Sequence, residues 1–168
     1  MWTELWLAAS ALAHLHGGLP WYAADALNDP ANTNPVLVAY REWCLTDRRY
    51  CAQDACVMTF QGLTAAYGVP LCLLLIAAIR ARAWWRHIVQ VLLCIPQAYG
   101  TLIYFGSAGV KGFAQINPDP FNFWVLFTAL NGLWVVIPCI MALQSFAVIG
   151  RALRAQASEA GEKRKVKK

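Results

Sequence analysis

The apolar residues of the chain fall into four long stretches separated by shorter polar segments. Three stretches contain no Asp, Glu, Lys or Arg: Ala55–Ile79, His87–Phe105 and Phe121–Ile149. Each has about the 20 residues that a helix needs to cross a bilayer core. The fourth, Leu5–Ala24, is interrupted by polar or helix-breaking residues: His14, His16, Gly17, Gly18 and Pro20. We interpret it as a span rather than a signal peptide, because its start carries Glu4 and no basic residue.

The composition is typical of a membrane protein. Hydrophobic residues make up 59% of the 168 positions and charged residues only 14%, against about a quarter in soluble domains, and the mean hydropathy is +0.43. The net charge of +5 arises entirely in residues 151–168, because residues 1–150 hold seven basic and seven acidic side chains. We therefore predict an all-α bundle of four transmembrane helices over residues 1–150 and a basic, disordered tail over 151–168.

The distribution of basic residues predicts the orientation. The link between the second and third spans carries three arginines and the tail seven basic residues, whereas the opposite links carry four basic and six acidic residues. Because basic residues accumulate on the cytosolic side, both termini should be cytosolic. The basic tail alone does not indicate nucleic-acid binding, since nothing else in the chain supports that contact.

Cysteine spacing and short motifs exclude several classes of site. Cys44, Cys51 and Cys56 lie at or near the lumenal side, where one disulfide such as Cys44–Cys51 is compatible with the spacing but not settled by it. No Cys-x-x-Cys pair occurs, and His14 and His16 do not share a helical face, so we predict no metal site. Phosphate-loop, nucleophile-elbow and dinucleotide motifs are absent from the sequence, so we predict no soluble cofactor.

Polar side chains inside the spans are the candidates for function, since a polar group at bilayer depth is costly unless it faces the bundle interior. For the amides and hydroxyls, a hydrogen bond between helices, worth about 0.6 kcal/mol, explains the residue as well as a functional role does. These residues include Gln61, Thr64, Gln97 and Asn131. His14 is ionisable and lies in mid-span, which favours a functional role.

Several motifs occur in a characteristic order: the His14 segment, Asp47-Arg48-Arg49-Tyr50 with Asp54, Pro96-Gln97-Ala98-Tyr99-Gly100, and Asn131-Gly132-Leu133-Trp134. Together they resemble the emopamil-binding protein family, the EXPERA superfamily, which includes sterol Δ8-Δ7 isomerases and four-span proteins of the sigma-2 receptor type. The chain is similar to the four-span members, because the isomerases have one further leading span. The resemblance implies residence in the endoplasmic reticulum membrane and an intramembrane cavity for a sterol-like amphiphile.

The resemblance also implies a chemistry, in which one proton is added to a ring double bond and another is removed nearby, through a carbocation. It implies that His14 is the family histidine, Thr64 a hydroxyl near the proton transfer, Asn131 a hydrogen-bonding partner and Trp134 an aromatic face for a cation. We expect three catalytic residues, His14, Asp54 and Tyr50, and six substrate-binding residues: Gln61, Thr64, Gln97, Tyr104, Asn131 and Trp134.

Two positions depart from the isomerases, which have glutamates where this chain has Gly18 and Gln61. A glutamine cannot exchange a proton near neutral pH, so His14, helped by His16, is the remaining mid-span group that titrates there. We also expect Gly18 to enlarge the cavity beside His14.

Two functions follow as alternatives. The chain is an isomerase or protonation-initiated cyclase acting on a terpenoid or sterol-like substrate, or it is a non-catalytic sterol- or lipid-binding protein that has lost both carboxylates. A structural bundle without a ligand is a third reading, disfavoured by the number of polar groups on the spans. The expected partners are a sterol or terpenoid and the lipid bilayer; a homodimer is left open.

Overall fold

The computed structural model describes residues 2–166, and the regular structure in this part of the chain is helical. The helices are α1 (Trp2–Gly17), α2 (Leu19–Tyr22), α3 (Ala24–Asn28), α4 (Pro35–Thr46), α5 (Ala55–Leu63), α6 (Val69–Arg80), α7 (Arg86–Val110) and α8 (Asn131–Val166). Two π-helical segments complete the order: Thr64–Gly68 joins α5 to α6, and Phe121–Leu130 leads into α8.

Three helical segments of the described chain are long and apolar enough to cross a membrane: Ala55–Arg80, Arg86–Val110 and Phe121–Gly161. They coincide with the three strongly apolar stretches of the sequence, so those predicted spans and the all-α membrane fold are confirmed. The first of them consists of α5, the π-helical turn and α6 in one continuous rod.

The predicted span Leu5–Ala24 is wrong in its extent. Its helix, α1, has 16 residues, about 24 Å, and so is shorter than the hydrocarbon core of roughly 30 Å. α1 ends at Gly17, and α2 begins within two residues with Pro20 in its first turn. Proline is favoured at the start of a helix and cannot continue one, which explains the break.

α1 nevertheless runs through the depth of the bundle. At its start, the Glu4 carboxylate accepts a hydrogen bond of 2.8 Å from Arg80 at the end of α6, and at its end Gly17 packs against Gln61 of α5. His87 Nδ1 lies 3.2 Å from the Ser145 hydroxyl, which places the exit of α8 beside the start of α7. The beginning of α1 and the end of the spanning part of α8 therefore lie at the same end of the bundle.

Residues 19–54, here called the cap, cover the other end. The cap contains α2, α3 and α4; Asn34 caps α4 by accepting from the Val36 amide at 3.0 Å. Arg41 donates to the backbone carbonyls of Leu27, Asp29 and Asn32 and so holds the loop before α4. A disulfide joins Cys44 to Cys51, the pairing that the spacing left open, and Cys56 is free.

A buried ion pair attaches the cap to α7. The Arg49 guanidinium lies 2.7 Å from the Asp47 carboxylate, and their side chains are 1% and 0% exposed. Tyr104 of α7 donates its hydroxyl to Asp47 at 2.5 Å, and Arg49 donates to the Tyr104 carbonyl and the Ser107 hydroxyl. Because each partner is hydrogen-bonded, the two charges are tolerated in the interior.

The interior is divided into two apolar cores. One lies against the cap and contains Tyr40, Tyr104 and Phe127; the other lies towards the far end and contains Leu7 and Leu93. Between the two clusters, His14 of α1, Gln97 of α7 and Asn131 of α8 belong to neither and line a cavity.

Residues 151–166 are helical, so the predicted disorder of the tail is wrong in the described part, while Lys167 and Lys168 lie outside it. The segment contains several Ala, Arg, Lys, Glu and Gln residues and no proline, and these residues favour a helix even without packing. Its described side chains are exposed, as expected for a charged segment.

Candidate functional site

A cavity of about 270 Å³ lies between the two apolar cores. α1 supplies His14, His16 and Gly17 to the lining, and α5, α7 and α8 supply further lining residues. α4 and the turn that follows it close the cavity from the cap. We call this space the main cavity.

The structure brings eight of the nine predicted site residues to the main cavity: His14, Tyr50, Gln61, Thr64, Gln97, Tyr104, Asn131 and Trp134. They come from five separate parts of the chain, so their convergence is a property of the fold.

His14 is buried beside an amide of α7. Its Nε2 lies 2.9 Å from Nε2 of Gln97, a separation at which the tautomer and amide orientation decide the donor. On its other side, a Cβ built on Gly68 would come within 2.9 Å of His14 Cδ2. Gly68 ends the π-helical turn, and because it has no side chain the His14 imidazole can pack directly against its backbone.

Gln61 is fixed between α1 and the cap. Its Nε2 donates to the Tyr50 hydroxyl at 2.6 Å, and a Cβ at Gly17 would overlap its Oε1. A side chain larger than glycine at position 17 would therefore displace the amide from Tyr50.

The expectation that Gly18 enlarges the cavity is wrong. Gly18 is not among the lining residues, and a Cβ there would lie 2.6 Å from the Cβ of Ala65 and 3.0 Å from Tyr22. The missing side chain allows α1 to approach the π-helical turn closely, so glycine at this position closes space rather than opening it.

Tyr50 reaches the main cavity from the cap. It follows the Asp47–Arg49 pair directly and precedes the disulfide residue Cys51, so both neighbours hold its backbone. Burial, reinforced by the negative charge of Asp47, raises the pKa of the Tyr50 phenol above its ordinary value. The Tyr50 phenol therefore stays protonated near neutral pH and keeps its proton for hydrogen bonding.

Asp54, the remaining predicted catalytic residue, is not among the residues that line the main cavity. It is the N-cap of α5 and accepts from the amides of Cys56 and Val57, while its other oxygen lies 2.7 Å from Lys111 Nζ. The hydrogen bond with Lys111 lowers the pKa of the Asp54 carboxyl. An aspartate just before an apolar helix also fits a capping role, which the sequence prediction did not weigh.

The α8 side of the cavity carries Asn131 and Trp134. Asn131 donates to the carbonyls of Leu126 and Phe127 at 3.1 and 2.7 Å, where the π-helical segment becomes α8. The Trp134 ring lies 5.1 Å from that of Trp6 on α1. Trp6 precedes His14 by eight residues, about 12 Å along the helix. Trp134 therefore lies further from the cap than the His14 imidazole does.

Sequence reasoning missed Tyr40, Trp43 and Phe60, which also line the main cavity. Tyr40 and Trp43 belong to α4, which lies outside the predicted spans. Their spacing of three residues on one short helix places both rings on the same face, and that is the signal that could have found them.

Three polar atoms of lining residues are buried and, in the described part of the chain, have no hydrogen-bond partner: Gln97 Oε1, the Tyr40 hydroxyl and Trp134 Nε1. A buried polar group without a partner costs about 1 to 3 kcal/mol. Such atoms around a mostly apolar cavity suit a ligand that is apolar with a few oxygen functions.

The fold and this cavity define a helical membrane protein with an interior site for an amphiphilic small molecule. A family model for EBP, described as EXPERA (EXPanded EBP superfamily), matches residues 15–145, which include every predicted site residue except His14. The chain belongs to this family, as the motifs led us to expect.

Three relatives illustrate the similarity. A probable 3-beta-hydroxysteroid-Delta(8),Delta(7)-isomerase of Oryza sativa subsp. japonica is 34% identical over 168 residues, which are 99% of this chain and 73% of the relative. A protoglabretal synthase of Ailanthus altissima is 27% identical over 156 residues, 92% of this chain and 70% of the relative. The 3-beta-hydroxysteroid-Delta(8),Delta(7)-isomerase of Rattus norvegicus is 27% identical over 143 residues, and the match spans 61% of that relative's length.

Proposed function

We propose that the chain is a membrane-embedded acid–base isomerase or protonation-initiated cyclase that acts on a sterol-like or terpenoid substrate through a carbocation. The observation that carries the proposal is the His14 imidazole, buried at an interior cavity and 2.9 Å from the Gln97 amide. The names of the relatives, which include sterol isomerases and a protoglabretal synthase, support it.

In this proposal His14 is the proton carrier. Its imidazolium form adds a proton to one carbon of a substrate double bond, and the positive charge passes to the substrate. The neutral imidazole then takes a proton from a neighbouring carbon, so that the double bond has moved and the residue is restored. No net oxidation occurs, and one residue can serve as acid and base in turn.

The remaining groups orient the ligand and stabilise the cation. Gln97 holds the imidazole ring, and the Gln61–Tyr50 pair presents neutral hydrogen-bonding groups that do not quench a carbocation. The ring of Trp134 at the cavity wall offers an aromatic face to positive charge. One face of the Tyr104 ring is already covered by the Arg49 guanidinium, 4.3 Å from the ring centroid. Asp54 has no part in the mechanism, since its carboxylate is engaged outside the cavity.

We place the protein in the endoplasmic reticulum membrane with the cap in the lumen and both termini in the cytosol. The disulfide of the cap supports this orientation, because disulfides persist in oxidising compartments. The arginines between α6 and α7 and the basic end of α8 support it from the opposite side.

The test measures proton exchange. The protein in lipid nanodiscs is incubated in heavy water with a Δ8 sterol or with a prenylated aromatic terpenoid, and the product is analysed by mass spectrometry. We expect solvent deuterium in an isomerised or cyclised product, and a loss of about 100-fold or more in rate for His14→Ala. His87→Ala is the matched control, because His87 lies outside the main cavity against Ser145, and it should retain turnover.

A second candidate is a non-catalytic binder of sterols or lipids. It is favoured by one observation: in the described chain no Asp or Glu lines the main cavity, and Gln61 is neutral. Saturable binding of either ligand without deuterium in any product would support the binder and contradict the enzyme. Turnover that survives His14→Ala would show that another group carries the proton.

A further inference from the structure

A second pocket of about 230 Å³ adjoins the main cavity within the cap. Two residues, Tyr40 and Tyr50, line both spaces and therefore lie where the two spaces meet. Their rings meet edge to face, with centroids 5.7 Å apart. We call the second space the cap pocket.

The two tyrosines at this junction differ in one respect. The Tyr50 hydroxyl accepts the Gln61 amide, whereas the Tyr40 hydroxyl has no partner among the described residues although its side chain is only 2% exposed. A phenol at this depth needs a hydrogen-bonding partner. Since Tyr40 borders two cavities, the group that completes it can come from a bound molecule.

The walls of the cap pocket indicate the chemistry of that group. Pro20 and Leu27 are apolar, while Asn28, Arg41 and Gln53 are polar. The guanidinium of Arg41 is held by three backbone carbonyls and leaves its positive charge without an acidic partner in the described structure. A positive charge beside the pocket disfavours an ammonium group and favours an oxygen function, such as a hydroxyl or a carbonyl.

We propose that the cap pocket, with the Tyr40 hydroxyl as its hydrogen-bonding group, is a subsite for the oxygen-bearing end of an amphiphile whose apolar body lies in the main cavity. This inference rests on the proposed function for the occupant of the main cavity. It adds the orientation: the oxygen end points into the cap, and the hydrocarbon end points towards Trp134.

The orientation constrains the reacting bond. The Tyr40 ring lies 5.6 Å from that of His16, and His14 is two residues, about 3 Å of helix rise, further into the bundle. A ligand anchored at Tyr40 therefore presents His14 with the rings next to its oxygenated end. The reacting double bond should therefore lie near the oxygen-bearing end of the ligand rather than at the far end of its hydrocarbon body.

Tyr40→Phe tests the proposal, because it removes one oxygen atom and leaves the ring. Binding to the protein in nanodiscs is measured by tryptophan fluorescence for two probes, a 3-hydroxy Δ8 sterol and the same hydrocarbon without its hydroxyl. We expect the dissociation constant of the hydroxylated probe to rise about threefold to tenfold, the value of one hydrogen bond, and that of the deoxy probe to stay unchanged.

Tyr99→Phe is the matched control, since Tyr99 is 64% exposed on α7 and lines neither space; both probes should bind it as they bind the wild type. Equal weakening of both probes by Tyr40→Phe would assign the residue to packing and overturn the subsite. Unchanged binding of both would show that water alone completes the hydroxyl, and would overturn it too. Selective weakening without deuterium exchange would support the subsite while contradicting the enzyme.

Discussion

Gly68→Ala tests whether catalysis depends on the position of the His14 imidazole ring. The added methyl would begin 2.9 Å from His14 Cδ2, whereas carbon atoms in contact prefer about 3.5 Å or more, so the ring must move by about 0.5 Å or more. Gly68 belongs to the π-helical turn of the second span and cannot yield without disturbing that rod. The displacement acts on the 2.9 Å contact between His14 and Gln97.

Because a misplacement of about 1 Å can reduce turnover 100-fold, we expect kcat to fall about tenfold in this variant, with KM changed by less than about threefold. The assay is the rate of deuterium incorporation in nanodiscs, together with the imidazole ¹⁵N resonances of labelled protein, which report on His14 even without turnover. Gly106→Ala is the control, since nothing lies within 4 Å of a Cβ at that position. A Gly68→Ala protein with wild-type kcat and unchanged imidazole resonances would refute the reasoning.

Two further predictions concern charged residues. Asp54→Asn should keep full turnover in the deuterium assay, because Asp54 lies outside the main cavity and asparagine also caps helices. Lys111 lowers the pKa of the Asp54 carboxyl below its ordinary 3.8, so the ion pair adds a small stability at pH values above 3.8. This stability is lost as the pH falls through the pKa of the folded state. The unfolding curves of Asp54→Asn and the wild type should therefore converge at that low pH. Asp47→Asn should destabilise the protein by about 3 to 5 kcal/mol by leaving buried Arg49 without its counter-ion. Arg48→Ala, at an exposed position, should unfold as the wild type does, and equal unfolding temperatures for both variants would contradict the assignment.

The membrane fold was predictable because bilayer depth sets the length of an uncharged apolar run. The three uninterrupted runs were therefore correct, while Leu5–Ala24 was misjudged because its glycines and proline end a helix that the residues before them sustain. The charge of residues 151–166 alone predicts disorder, whereas their helix propensity favours the helix that the structure shows.

The candidate site was predictable where a polar group had to face inward. His14, Gln61 and Asn131 could be selected in this way, since lipid cannot accommodate them. No such constraint acts in the cap, where Tyr40 and Asp54 both have access to water in the unfolded chain. Which of the two residues lines the cavity depends on how α4 packs over the bundle. The pattern of apolar and polar residues along the sequence does not determine that packing.

The disulfide of the cap has a practical consequence for making the protein. Tyr50 enters the site from a segment that is tied by Cys44 and Cys51, one of which is its immediate neighbour. In a bacterial cytoplasm, or in a cell-free mixture containing dithiothreitol, Cys44 and Cys51 would stay reduced. In a yeast or insect host the disulfide would form in the secretory pathway. The choice of expression system therefore decides how firmly this phenol is held before any ligand is added.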